Sequence, residues 1–447
     1  MNTLIFILMV LNIAVPLWVI QRFCVTRNGV EFNHILMFSL GFLFYWMVPI
    51  VVGMNRLFES ELAMRLWYQV FDVISPEAIA IYLGIALCCY LSFVAGTVFT
   101  TRLFRTQACY KEIFFYPRLL DIMLLLALIV AGIYGFLLRD ELFHGYTAWS
   151  AGEGTEKRGP FIAASVFLLA LAFVYMAKKH EATGFTIGFG RLLANRYFFS
   201  YIAVAILVLS LGGRLYFVSS LVMLLVYRSV YFSRISTKAA LISLGSVAGL
   251  SGLVGLFRLG GDVNFQSGLL NVFIEPLFTG FSLIHFLGDA TFEWVKFPVF
   301  LLSSFINLAP TALLPGKADY IIAPEDYGYV AFAPGGALNS YFSFMINFGI
   351  LGTMVFFFLF SGFLNYLKLQ DRRLLYRVIY VMLCGWLGFT FFRDAFFISI
   401  VKTMFQFSVL TPIALVLTAQ LISSGIRNFS SQTSAAPKES LLNMPRE

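Results

Sequence analysis

Charge is what this sequence has least of. Only 12% of its 447 residues are Asp, Glu, Lys or Arg, while 60% are hydrophobic and 17% aromatic. A soluble globular protein carries about 25% charged residues. The 31 basic and 23 acidic side chains here cannot supply the polar shell that a soluble chain of this length needs. That shortage excludes a soluble enzyme, a disordered chain and a nucleic-acid-binding module. Histidine and cysteine are also scarce, at four and five residues. Cys24, Cys88, Cys89, Cys109 and Cys384 show no metal-ligand spacing with a histidine and read as reduced packing residues. The H-E-x-x-H, D-x-D, Walker A, Rossmann glycine and G-x-S-x-G patterns are all missing. GGDVN at 260–264 lacks the strand and helix of a phosphate loop. No nucleotide, metal or other cofactor is therefore expected.

What the sequence has instead is long apolar runs. A spanning helix needs about 20 mainly apolar residues. Candidates lie near 3–20, 35–53, 78–100, 119–138, 160–177, 198–212, 215–232, 239–257, 343–367, 376–392 and 398–421. Two weaker runs between 268 and 314 are broken by Glu275-Pro276 and by Asn307 and Pro310, and read as two short spans or a re-entrant pair. The fold class is an all-α polytopic membrane protein with about 11–13 transmembrane helices. Residues 1–423 form one membrane domain, and 424–447 a polar, disordered cytoplasmic tail. A β-barrel is disfavoured because the runs do not alternate apolar with polar residues.

The net charge of +8 is spread over the gaps between runs, with Lys and Arg in every second gap. Arg22 and Arg27, Arg102 to Arg118, Lys178 to Arg196, Arg228 to Lys238 and Lys368 to Arg377 mark the cytoplasmic side. The alternate gaps, with Glu59, Asp72, Asp140, Glu153 and Glu325, face outward. The alternation keeps its phase only if 268–314 crosses an even number of times, none or two.

Charges at the outward boundary or within apolar runs are expensive and point to function. In LGGRLYF, residues 211–217, Arg214 follows a glycine pair in a very short gap. There it can clamp phosphate oxygens or snorkel to anchor a helix end. In FRLGGDVN, residues 257–264, Arg258 is a second outward cation, or half of a surface pair with Asp262. The outward loop at about 310–342, before the last three helices, carries Lys317, Glu325, Asp326, Tyr327, Tyr329, Asn339 and Tyr341. Aromatic rings with interspersed carboxylates suit carbohydrate, although a plain connecting loop has the same composition. In FFRDAFF, residues 391–397, Arg393 and Asp394 must pair with each other or face a polar cavity. His285 and Glu275 are weaker candidates, since a lone histidine on an apolar helix is more often a packing residue.

The tight turn in LSLGGRLYFVSSLVMLLVY and the loop closing with APGGALNSYFSFMINFGILGTMVFFFLFSGF resemble the oligosaccharide repeat-unit polymerases of the Wzy type. The likeness covers most of the chain in architecture but only these short stretches in sequence. It implies a GT-C-like glycosyltransferase of the bacterial inner membrane, its active site facing the periplasm. Such enzymes make O-antigen and related polysaccharides from undecaprenyl-diphosphate-linked glycans. A chain-length regulator of the co-polymerase type is the expected partner, besides membrane lipids, and no nucleic acid. On this reading Arg214, Arg258, Arg393 and Lys317 hold diphosphate. Asp394, Glu325, Asp326 and His285 are the candidate bases, and Tyr327, Tyr329, Asn339 and Tyr341 touch sugar. The rivals are an O-antigen ligase, disfavoured because 310–342 has no histidine, and a flippase or secondary transporter. A transporter would carry buried polar residues on both sides of the membrane.

Overall fold

In lipid the backbone must satisfy its own hydrogen bonds, and continuous apolar runs do this as helices. The computed structural model bears this out. It describes residues 2–59, 62–104, 116–142, 155–183, 194–211, 213–246, 249, 265–289, 292–309, 313–322, 338–370 and 373–434. Seven described helices are long and apolar enough to cross a membrane, and five shorter apolar helices accompany them. The first is α1, Asn2–Phe23. A short hairpin follows, with β1 at Val25–Thr26 and β2 at Gly29–Val30. Then come α2, His34–Met54, with a π-helical turn at Phe42–Met47, and the short α3, Leu62–Phe71.

Further along are α4, Pro76–Leu103, α5, Pro117–Leu137, and α6, Thr155–Thr183. After them come α7, Arg196–Ser210, α8, Arg214–Tyr231, α9, Phe265–Asp289, and α10, Val299–Ser304. The chain closes with α11, Ser340–Leu369, α12, Leu374–Leu387, and α13. The first part of α13, Phe397–Leu410, is π-helical, and the rest, Thr411–Ser434, is α-helical. One continuous apolar core joins residues from α1 to α13. The helix reaches Ser434, into the stretch expected as a disordered tail from 424. Extending an existing helix needs no new nucleus, and no proline interrupts before Pro437.

The alternation of charge is visible as a meeting of gaps. Val30 and Ile235 exchange backbone hydrogen bonds of 2.7 and 3.0 Å, which brings the first and the 232–238 gaps together. Glu31 sits between them, paired with Lys368 and, at 3.4 Å, with Arg234. Three basic gaps thus share one end. Burial pushes the Glu31 carboxyl up, but the Lys368 charge and hydrogen bonds from Lys368 and Asn33 outweigh it. The net shift is below the ordinary carboxylate value of 4.5. The nearby Cys24 thiol is pushed up to about 12, chiefly by burial. It behaves as the inert packing residue expected from sequence, and Cys88, Cys89 and Cys384 are free as well.

A carboxylate whose folded value is depressed adds stability above its unfolded value, and that stability is lost as pH falls through the folded value. The thermal midpoint should therefore fall more steeply below about pH 4.5 in the parent protein than in Glu31→Gln. At neutral pH the substitution, which removes the counter-charge of Lys368 and Arg234, should cost about 1–3 kcal/mol. Parallel melting curves of the two proteins across pH check both points.

At the opposite end the chain is less regular. α11 is broken at Gly349, whose φ of 66° and ψ of −170° are open only to glycine. A Cβ there would lie 2.7 Å from the Glu293 carbonyl oxygen. The break lets Ile350 and Leu351 donate to the Glu293 and Trp294 carbonyls at 3.0 and 2.9 Å. Residues 340–348 form a half-helix that doubles back on the rest of α11. Phe344 and Phe357 meet with ring centroids 4.8 Å apart, and Thr353 Oγ1 donates to the Phe344 carbonyl at 3.3 Å.

The uncertain 268–314 stretch resolves into α9 and α10. α9 packs on α2, α3, α4 and α11, and the Trp67 indole of α3 donates to the Leu277 carbonyl at 3.2 Å. Neither helix is among those long and apolar enough to cross.

Candidate functional site

The site grows from three interruptions of helix, each favoured by local sequence. At the first, α12 stops at Leu387 after 14 residues, about 21 Å, short of a hydrocarbon layer of about 30 Å. Thr390–Phe392 then make a 3₁₀ turn, and Arg393 is extended. Asp394 takes a φ of 77°, a strained value for a residue with a side chain. At the second, α9 carries Pro276 inside it, directly after Glu275. The third is the buried start of the 340–348 half-helix at Asn339. Irregular backbone at membrane depth is tolerated only where protein or a cavity surrounds it. Thr390, Phe391, Phe392 and Phe396 are all buried.

Asn339 holds the interruptions together. It forms an isolated antiparallel bridge with Arg393. Its backbone N–H donates to Ser282 Oγ of α9 at 2.8 Å, its Nδ2 to the Tyr45 carbonyl of α2 at 3.0 Å, and its Oδ1 accepts from Tyr341 N at 3.0 Å. Next to it, Asp394 N donates to the Leu338 carbonyl at 3.0 Å.

This framework places one guanidinium between two carboxylates. Arg393 Nη1 donates to Glu275 Oε1 in a close ion pair, and Tyr45 Oη donates to the same oxygen at 3.2 Å. Arg393 Nε lies 3.4 Å from Asp394 Oδ1, near enough for attraction but not aligned as a hydrogen bond. All three charged side chains are at least four-fifths buried. With both carboxylates ionised the cluster carries one net negative charge. Tyr45 lies nine residues before the end of α2 at Met54, roughly 13 Å along the helix. The cluster is therefore sunk within the apolar layer rather than lying on its surface.

The sequence-derived candidates divide. Arg393 and Asp394 are brought together, and the weakly favoured Glu275 joins them. Tyr45 escapes a reading of the sequence, because a tyrosine inside an apolar run gives no signal of its own. His285 lies nearly three turns from Glu275 on α9, about 15 Å along the axis, and does not join the cluster. Asn339 and Tyr341 are fully buried. The amide of Asn339 is used in the framework, and the ring of Tyr341 packs edge-on against Trp46 and Tyr82. Neither is presented to a sugar in this arrangement, because both serve to seat the half-helix. Lys317 donates to the Asn307 and Ala309 carbonyls at 3.3 and 3.0 Å, so its ammonium ties down the 305–308 turn instead of standing free for phosphate.

Arg214 opens α8 after a tight turn in which Gly213 N donates to the Val208 carbonyl at 3.0 Å. Its side chain lies outside the described residues, as do Arg258, Glu325, Asp326, Tyr327 and Tyr329 entirely. No group of three or more His, Cys, Asp or Glu suited to a metal occurs among the described residues.

A second buried polar set centres on His34, at the start of α2. His34 Nδ1 is 3.0 Å from Tyr380 Oη and its Nε2 2.9 Å from Thr97 Oγ1, which is 2.6 Å from Ser361 Oγ. These residues join α2, α4, α11 and α12, and nothing in the sequence singles them out.

Fold and site together define a polytopic helical membrane protein with a buried ionic cluster among its helices. Compared with protein-family models, curated proteins and solved structures, the chain matches none.

Proposed function

We propose that this chain polymerises undecaprenyl-diphosphate-linked oligosaccharide units on the periplasmic face of the bacterial inner membrane. The observation that carries the reading is the Glu275–Arg393–Asp394 cluster, where two carboxylates share one guanidinium within the apolar layer. In the transfer, a hydroxyl oxygen of the acceptor sugar bonds to the anomeric carbon of the donor chain. The bond from that carbon to the diphosphate oxygen breaks, and the lipid diphosphate leaves with the bonding electrons. The hydroxyl proton passes to a carboxylate of the cluster, neutralising its net charge. Asp394 is the base we assign, because Glu275 already accepts from both Arg393 and Tyr45. Arg393 fixes the two carboxylates and offers its remaining N–H groups to the leaving diphosphate, and Arg214 and Arg258 are the further cations we assign to it. No nucleotide is required, since the diphosphate linkage supplies the driving force.

One observation favours a second reading. A transporter needs polar groups at both ends, and the His34–Tyr380–Thr97–Ser361 set supplies them at the inner end. A gel of surface polysaccharide from a strain lacking the gene separates the cases. Lipid core with a single repeat unit, restored to a ladder by a plasmid copy, is the expected outcome. Bare core with accumulated lipid-linked polymer would mean a ligase. Bare core with unpolymerised units held on the cytoplasmic side would mean a flippase.

A further inference from the structure

α13 carries one charge in its apolar length, Lys402. Its ammonium is 5.8 Å from the Phe407 ring centroid and makes no hydrogen bond or ion pair with the described residues. The side chain is half-buried. An ammonium removed from water without a counter-charge is costly, so this position calls for an anion. Depth suggests which kind. Ser423, further along α13, accepts from Tyr116 N at 3.1 Å, at the inner start of α5. From there back to Lys402 is roughly 30 Å of helix, the thickness of the hydrocarbon layer. Lys402 therefore lies in the half of the layer away from Ser423, where the nearest anions are the phosphates of that leaflet.

The surroundings are suited to an acceptor-rich ligand. Lys402 and Phe407 share a face because the segment is π-helical over Phe397–Leu410, a distortion frequent at functional sites. Phe407 meets Tyr216 of α8 with ring centroids 6.5 Å apart, and Tyr216 meets Trp386 of α12 at 5.5 Å. In this seam of three helices Trp386 Nε1 and Ser219 Oγ are buried without a hydrogen-bond partner. The turn carrying Arg214 opens the seam at its outer end.

We infer that Lys402 binds the phosphate of a lipid at the seam of α8, α12 and α13, apart from the Glu275–Arg393–Asp394 cluster. The shared chemistry is a lipid phosphate group, from either a phospholipid headgroup or a polyprenyl diphosphate. If it is the latter, the seam is the second of the two lipid sites that a polymerase needs, an identification that rests on the proposed function. Phosphate binding itself does not rest on it.

The test uses the full chain in phosphatidylcholine nanodiscs, titrated with undecaprenyl diphosphate, undecaprenol or phosphatidylglycerol. Lys402→Met should weaken undecaprenyl diphosphate binding about tenfold or more, as loss of one charged hydrogen bond does. Lys402→Arg should stay within about threefold of the parent, and undecaprenol binding should not change. The same Lys402 dependence with phosphatidylglycerol as the tighter ligand would support the site and assign it to a headgroup. Binding that is unchanged in Lys402→Met, or that falls equally for undecaprenol, would overturn the proposal. If Lys402-dependent binding is found but the gene deletion leaves the polysaccharide ladder intact, the polymerase reading fails and the lipid-phosphate site stands.

Discussion

Arg393→Ala should abolish long polysaccharide chains and destabilise the protein by about 3–5 kcal/mol, because it leaves two mostly buried carboxylates without their cation. Loss of product alone would not separate chemistry from folding, so the partner substitution matters. In Arg393→Ala with Glu275→Gln, one of the orphaned charges is gone, and Tyr45 can still donate to the oxygen of the new side-chain amide. The double variant should recover much of the thermal midpoint while the ladder stays absent. Asp394→Asn should leave the fold close to the parent, since its backbone bond to Leu338 is untouched, yet cut polymer formation by about 10²–10⁴-fold if Asp394 is the base. Midpoints and ladders measured on the same membranes check all three. A full ladder in Asp394→Asn would remove Asp394 from the chemistry, and a full ladder in the double variant would remove Arg393.

Gly349→Val should be nearly as damaging, for a reason that involves no charge. The φ of 66° with ψ of −170° is closed to a β-branched residue, and strain of this kind costs about 1–3 kcal/mol even where space is free. Space is not free here. The new Cβ would lie 2.7 Å from the Glu293 carbonyl oxygen and 3.0 Å from the carbonyl carbon and oxygen of Trp294, all backbone atoms that cannot swing aside. The break in α11 must then straighten or the 293–296 segment must detach. Either shift moves Asn339, and with it the bridge to Arg393. We expect little folded protein in the membrane and no polymer. Gly349→Ala should show the same defect in milder form. Membrane yield and detergent melting curves for both variants check this, and a normal yield of Gly349→Val would contradict the described break.

The reach of the sequence follows from what kind of signal each feature leaves. Spans are legible because each rests on a run of about 20 residues, and the grouping of basic gaps because Lys and Arg stand in every second gap. The pairing of Glu31 with Lys368 and Arg234 agrees with that charge alternation. Arg393 and Asp394 are legible because a charge deep in an apolar stretch has few innocent explanations. Glu275 is harder to place. Its run, broken by Pro276, reads equally as a failed span or a re-entrant piece, and only the packing of α9 on α2 and α3 shows which outward charge it meets. Tyr45, Lys402 and the half-helix at 340–348 leave no usable trace. Tyrosine is ordinary in an apolar helix, one lysine near a helix end reads as snorkelling, and a glycine break inside a long apolar run does not interrupt its hydropathy. The same blindness turns Asn339 and Tyr341 into sugar-binding candidates. Polar and aromatic residues after a proline- and glycine-rich loop suggest an exposed surface, whereas here they are already buried at the start of a half-helix.

The most direct measurement of the central claim uses purified protein in lipid vesicles, supplied with undecaprenyl-diphosphate-linked repeat units and no nucleotide. The account predicts a ladder of longer lipid-linked glycans, with one undecaprenyl diphosphate released for each new glycosidic bond and no ladder from Arg393→Ala. Repeat units that cross the bilayer but never lengthen would contradict it and make this protein a transporter.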